Sequence, residues 1–176
     1  NGNVSGNHGS SDCWIVKLSS IGTIEWQKSL GGSSFDWASD IIQTTDGGYI
    51  IAGNTQSNNG NVTGNHGYID YWIVKLSSLG IIEWQRCLGG TGDDRATSII
   101  PTTDGGYVVA GYSESNNNGN VTGNHGLKDY WIVKLNSDGG VIEWQKSLGG
   151  THVDLAHAIK QTSDGGYIVA GHASSI

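Results

Sequence analysis

Apolar residues in this chain come in short runs, and the runs recur in a fixed order. "CWIVKLS" (13–19) is rich in β-branched and aromatic side chains and is apolar on both faces of a strand. "TIEWQKSL" (23–30) alternates instead. Ile24, Trp26 and Leu30 fall on one face, and Glu25, Gln27 and Ser29 on the other. Period 2 predicts a half-buried strand. "SDIIQT" (39–44) and "YIIAGN" (49–54) read as a third and a fourth strand. "TDGG" (45–48) between them predicts a tight hairpin, because Gly accepts the positive φ such turns require. "SSIG" supplies the turn between the first two strands, and no segment keeps a helical period.

This order occurs three times. "WIVKLSSIGTIEWQKSLGG" begins at Trp14, "WIVKLSSLGIIEWQRCLGG" at Trp72 and "WIVKLNSDGGVIEWQKSLGG" at Trp131. The copies occupy residues 1–58, 59–117 and 118–176 and leave nothing over, so the chain reads as a single repeat domain. Four strands in fewer than sixty residues predict an all-β fold, a β-propeller built of four-stranded antiparallel blades. A single blade cannot cover both faces of its sheet, so neighbours must stack. A β-solenoid is the rival architecture, and hairpin turns such as "DGG" disfavour its parallel coils.

The pattern "WIVKL…GxIEWQKSLGG…DGGYIVAG" resembles a tandem repeat of large secreted and cell-surface proteins of bacteria and archaea, and more distantly the quinoprotein-type propeller blade. The resemblance covers the whole chain. It implies a propeller and an extracellular or cell-surface place, and it implies no activity. By analogy with that blade, "SDIIQT" is innermost, followed by "YIIAG", "WIVKL" and "TIEWQKSL". The chain then opens with the outer half of one blade and closes with the inner half of another. Typical propellers close with four to eight blades. The expectation is therefore self-association: residues 12–30 of one chain pair with 158–171 of a second, giving a six-bladed dimeric ring. The other expectation is a piece of a longer array or filament.

Composition narrows the function. The 176 residues include 29 Gly and 7 Trp, with 14% charged residues and a net charge of −7. Lacking a basic run, the chain suits neither nucleic acid nor an anionic membrane surface. No apolar run approaches the roughly 20 residues that span a bilayer, so membrane insertion is not expected. The chain starts at Asn1 and shows no signal peptide, which reads as a processed chain or a fragment. Cys13 and Cys87 fall at unequal places in the repeat, which argues against a disulfide.

The candidate chemistry lies in "NGNVTGNHGYID" and its two sister copies. Asn59, Asn61 and Thr63 take the first, third and fifth places, Gly64 the sixth and Asp70 the twelfth. That is the spacing of a calcium loop. The other copies supply Asn1, Asn3, Ser5 and Asp12, and Asn118, Asn120, Thr122 and Asp129. One carboxylate per loop predicts weak binding. The competing reading is an Asn/Gly turn closed by side-chain-to-backbone bonds. Asn3, Asn61 and Asn120 also head N-x-[ST] sequons, which are candidate glycosylation sites.

His8, His66 and His125 recur one per copy and are expected to bond within their own loops. His152, Asp154, His157 and His172 form the only cluster with transition-metal ligand types, although Asp154 has counterparts in Asp36 and Asp94. Lys17, Lys75 and Lys134 are placed to pair across strands with Glu25, Glu83 and Glu143. Trp14, Trp72, Trp131, Trp26, Trp84 and Trp144 are expected between blades, and Trp37, beside Phe35, is a candidate sugar-stacking platform. No nucleophile elbow, P-loop or Cys–His arrangement appears. The sequence thus predicts a non-catalytic extracellular module for adhesion, display or assembly. Its alternatives are a carbohydrate-binding propeller and an enzyme with its site at the central channel.

Overall fold

A computed structural model of the chain describes residues 2–174. The described residues form twelve strands and no helix. β1 (Cys13–Leu18) and β2 (Ile24–Leu30) make a two-stranded sheet. β3 (Asp36–Gln43), β4 (Tyr49–Thr55), β5 (Asp70–Leu76) and β6 (Ile82–Leu88) make a four-stranded sheet in that order. β7 (Asp94–Pro101), β8 (Tyr107–Ser113), β9 (Asp129–Leu135) and β10 (Ile142–Leu148) repeat it. β11 (Asp154–Gln161) and β12 (Tyr167–Ala173) form a second two-stranded sheet. Every neighbouring pair within a sheet is antiparallel.

The sheets are out of step with the sequence copies. Each four-stranded sheet takes its first two strands from one copy and its last two from the next. The chain therefore begins with the last two strands of a sheet and ends with the first two, the half-sheet order expected from the sequence. The "TDGG" hairpins form as read, with Gly47 at φ 82°. The third strand of the pattern starts earlier than expected, at Asp36 rather than Ser39. Asp36 is fully buried yet polar, and it is tolerated because Thr55 and Ser57 donate hydroxyl hydrogen bonds to its carboxylate.

Successive sheets pack through their first two strands, β4 against β7 and β8 against β11. Apolar clusters fill the seams. Ile50, Ile73, Val109 and Trp131 share one, and the Tyr71 hydroxyl in it donates to the Trp131 carbonyl at 2.8 Å. Trp72, Val74, Ile51 and Leu30 share a second with Cys13 and Cys87, whose thiols are both free. The outer-strand tryptophans bridge the same seams: Trp26 meets Tyr49 at 5.8 Å between ring centroids, Trp84 meets Tyr107 at 6.4 Å and Trp144 meets Tyr167 at 5.6 Å. A buried Trp removes about 150–250 Å² from water, which is roughly 4–6 kcal/mol as an upper figure. The cross-strand ion pairs also form, Lys75 with Glu83 and Lys134 with Glu143 at 2.9 Å and Lys17 with Glu25 at 3.1 Å.

The two half-sheets leave clefts. One of about 220 Å³, beside β1, is lined by Trp14, Ile15, Ala38 and Ile41. Another of about 630 Å³, beside β12, is lined by Tyr130, Leu148, Tyr167 and Val169.

Candidate functional site

The Asn/Gly motif forms the loop that joins the second strand of a sheet to its third, and it serves two seams at once. Asn59 Oδ1 accepts a hydrogen bond from the Ser33 N–H at 2.8 Å, and Asn61 Oδ1 one from the Gly31 N–H at 3.1 Å. Asn118 and Asn120 repeat this with the N–H groups of Thr91 (2.7 Å) and Gly89 (3.2 Å). These donors sit in the Gly-Gly loop that follows the preceding outer strand. Val62 and Val121, the middle residues of two sequons, are plugs: both are buried in the apolar seams. By its end the loop has reached the opposite seam, where Asp70 lies against Gly89 and Asp129 against Gly149.

The four oxygens of the calcium spacing are thus divided. Asn59 and Asn61 face the seam before their sheet, and Asp70 faces the seam after it. Thr63 Oγ1 accepts from Gln85 Nε2 at 2.5 Å, and Thr122 makes the same contact with Gln145. In the first copy Asn1 lies outside the described residues, Asn3 is exposed, the Ser5 carbonyl accepts from Ser29 Oγ at 2.9 Å, and Asp12 faces Gly31. Among the described residues no group of three or more His, Cys, Asp or Glu side chains is placed to hold a metal ion. Of the sequon asparagines, Asn3 is exposed and Asn61 and Asn120 are half-buried.

Paired carboxylates close each seam. At the middle one, Asp70 and Asp94 are both fully buried. Asp94 is saturated: Gly90 N–H and Ser115 Oγ donate to one oxygen at 2.7 Å, and Ser113 Oγ to the other. Asp70 holds the His66 backbone N–H at 3.0 Å and its Nδ1 at 2.6 Å on one oxygen, while its Oδ1 has no hydrogen-bond partner. Burial raises the Asp70 carboxyl above its usual range, and the bonds from His66 offset part of that rise. Gly89 backs onto both groups. A Cβ there would lie 2.7 Å from Asp70 Oδ1 and 2.7 Å from Asp94 Oδ2. Asp12, Asp36 and Gly31 repeat the arrangement, as do Asp129, Asp154 and Gly149. The first glycine of each Leu-Gly-Gly stretch therefore lets the backbone pass between two carboxylates.

The recurring histidines bond within their loops as read: His8 Nδ1 is 2.7 Å from Asp12, and His125 Nδ1 is 2.8 Å from Asp129. Among the described residues the third-copy cluster supplies no group of three placed to hold a metal ion. His152 Nδ1 is 2.9 Å from Thr151 Oγ1, and His172 Nε2 is 2.8 Å from Ser174 Oγ. Asp154 accepts from the Gly150 N–H at 2.8 Å and His157 is exposed. Trp37 carries the Arg95 guanidinium 5.4 Å from its ring centroid, so one ring face is taken. Both thiols are poor nucleophiles. Burial pushes Cys13 up to about 12, and Cys87 likewise upward. No protein-family model matches the chain, and no curated protein matches it in sequence.

Proposed function

We propose that the chain is a non-catalytic, extracellular β-propeller module that assembles a surface structure by completing its own half-sheets. One observation carries this reading: the end strands expose side chains that their counterparts bury. Leu18 is 49% exposed where Leu76 and Leu135 are buried, and Ile168 is 62% exposed where Ile50 and Val108 are sealed. The occupant that fits the β1 edge is a strand like β12 from a second copy.

The β4–β5 register, in which Tyr49 faces Leu76 and Thr55 faces Asp70, then transfers directly. Tyr167 of one copy faces Leu18 of the next, and Ala173 faces Asp12. Two further contacts follow, one from an interior seam and one from a complete sheet. Tyr71 donates to Trp131, so Tyr130 donates to the Trp14 carbonyl of the neighbour. Lys75 pairs with Asp46, so Lys17 pairs with Asp164 of the neighbour. Two copies give six four-stranded sheets, within the four to eight that close a propeller. Adhesion or display then falls to the Asn/Gly loops on the rim. The absence of catalysis is supported by the repeated acids, which lie in equivalent structural contacts at every seam.

Native mass spectrometry and sedimentation equilibrium of the 176-residue chain test the assembly. The expected species is twice the 18.5 kDa chain mass, returning to 18.5 kDa in Ile168→Lys. A single 18.5 kDa species at high micromolar concentration overturns the proposal, and an open-ended ladder of masses replaces the ring by a filament.

A further inference from the structure

A separate cavity of about 510 Å³ opens between β6 of one sheet and the hairpin that leads into β10 of the next. Three polar side chains in its wall are each pinned at one end by the fold. Arg86 Nε donates to the Gly139 carbonyl at 3.3 Å, which lays the guanidinium along the hairpin, where Nη2 is 3.2 Å from a Cβ position on Gly140. Asn120 Oδ1 is taken by the Gly89 N–H, which leaves the amide NH₂ to donate. His66 Nδ1 is taken by Asp70. In the neutral tautomer that donates Nδ1–H to that carboxylate, Nε2 is an acceptor. The groove thus offers one fixed cation, one donor and one acceptor. Leu135, Val141 and Ile142 supply an apolar wall, and no carboxylate lines the groove among the described residues.

We propose that this groove binds an acidic sugar residue, with its carboxylate on Arg86, its hydroxyls on His66 and Asn120, and the C–H face of its ring on Val141 and Ile142. The volume lies within the range of small-ligand pockets and is far larger than a lone oxyanion needs. Bidentate carboxylate recognition suits a guanidinium. The cation also recurs. Lys28 and Lys146 stand where Arg86 does, and Lys28 Cε lies 3.3 Å from a Cβ position on Gly80, in the equivalent hairpin. Lys28 beside the Gly80 hairpin thus places a second cation at the preceding seam, a repetition that suits a polysaccharide whose acidic residues repeat. The proposal does not depend on the assembly proposed above.

The test is a ¹H–¹⁵N correlation titration of the labelled 176-residue chain with methyl β-D-glucuronide, run beside methyl β-D-glucoside and sodium sulfate. Saturable shifts are expected at Gly139–Ile142 and at the Arg86 side chain, with a Kd of roughly 1 mM. The neutral glucoside is expected to bind about tenfold more weakly, a difference of one Arg–carboxylate contact. Arg86→Gln and Val141→Glu should each reduce the glucuronide to the level of the glucoside. Glucoside binding equal to glucuronide overturns the proposal. So does sulfate that shifts the same residues at equal affinity, or an Arg86→Gln variant that binds unchanged. Absence of saturable shifts overturns it as well, whatever the oligomeric state.

Discussion

Trp72 and Trp131 are 1% and 0% exposed, whereas Trp14, at the same place in the first copy, is 44% exposed. The local sequence is nearly identical in all three, and so is the strand that carries each one. What differs is the neighbour. Trp72 and Trp131 have a complete sheet around them, and Trp14 has a half-sheet. Burial in this fold is therefore a property of a seam rather than of a residue, as expected where each unit contacts only its neighbours.

The largest test of that contrast is truncation of the tryptophans. Trp72→Ala should cost about 4 kcal/mol in urea unfolding. Trp14→Ala should cost about 1 kcal/mol in the dilute, separated chain. In the proposed dimer, the Trp14 penalty should rise towards that of Trp72. Equal penalties at all concentrations would remove the distinction between ends and interior.

Next in size are the glycines. Gly89→Ala places a methyl against two buried carboxylates and should cost about 3 kcal/mol. Gly22→Ala, in an open turn at φ 80° with no atom near the added methyl, should cost about 1 kcal/mol of backbone strain alone. Thermal unfolding of the pair separates crowding at a seam from conformation in a turn.

The cysteines sharpen the same comparison kinetically. Both are buried and their thiols are pushed upward, so a thiol reagent at pH 8 should reach them only through opening. Cys13 lies on the end half-sheet and should label about tenfold faster than Cys87, whose strand belongs to a complete sheet.

The smallest effect is on pH dependence. The hydrogen bond from Lys75, then those from Thr44 and Gly48, hold the Asp46 carboxyl below its usual range. A depressed folded pKa means stability that is present above the ordinary carboxylate range and lost as pH falls through the depressed value. Asp46→Asn should therefore flatten part of the acid limb of unfolding between about pH 4 and pH 2. Asp164, in the same turn of the last copy, is held by Thr162 and the Gly166 N–H. Asp164→Asn should change that limb less in the separated chain, and Asp164→Asn with Lys17→Met should weaken association.

Much of the fold was legible because strands announce themselves locally. Ile24, Trp26 and Glu25 alternate as a half-buried strand must, and "TDGG" can hardly be other than a hairpin. The half-sheet order came from analogy, since pairing partners are not written in any local pattern. The start of β3 was missed because nothing next to Asp36 shows that Thr55 and Ser57 will satisfy it. The site was less legible still. The oxygens of Asn59, Asn61, Thr63 and Asp70 share a spacing, but a loop that crosses from one seam to another sends them to different partners. Arg86 gave no signal beyond a lysine-to-arginine change, and its groove exists only where the hairpin of the next sheet arrives. That the recurring histidines bond inside their own loops was readable, because His66 and Asp70 are only four residues apart.

The half-sheet offset has a consequence for how such a chain changes in length. Adding or deleting one whole sequence copy inserts or removes a complete sheet and leaves both ends as they were. Under the proposed assembly the two half-sheets would act like the cohesive ends of cut DNA, matching each other whatever the length between them. In the assembly proposed above, ring size would therefore vary by duplication while the contacts between half-sheets stay the same.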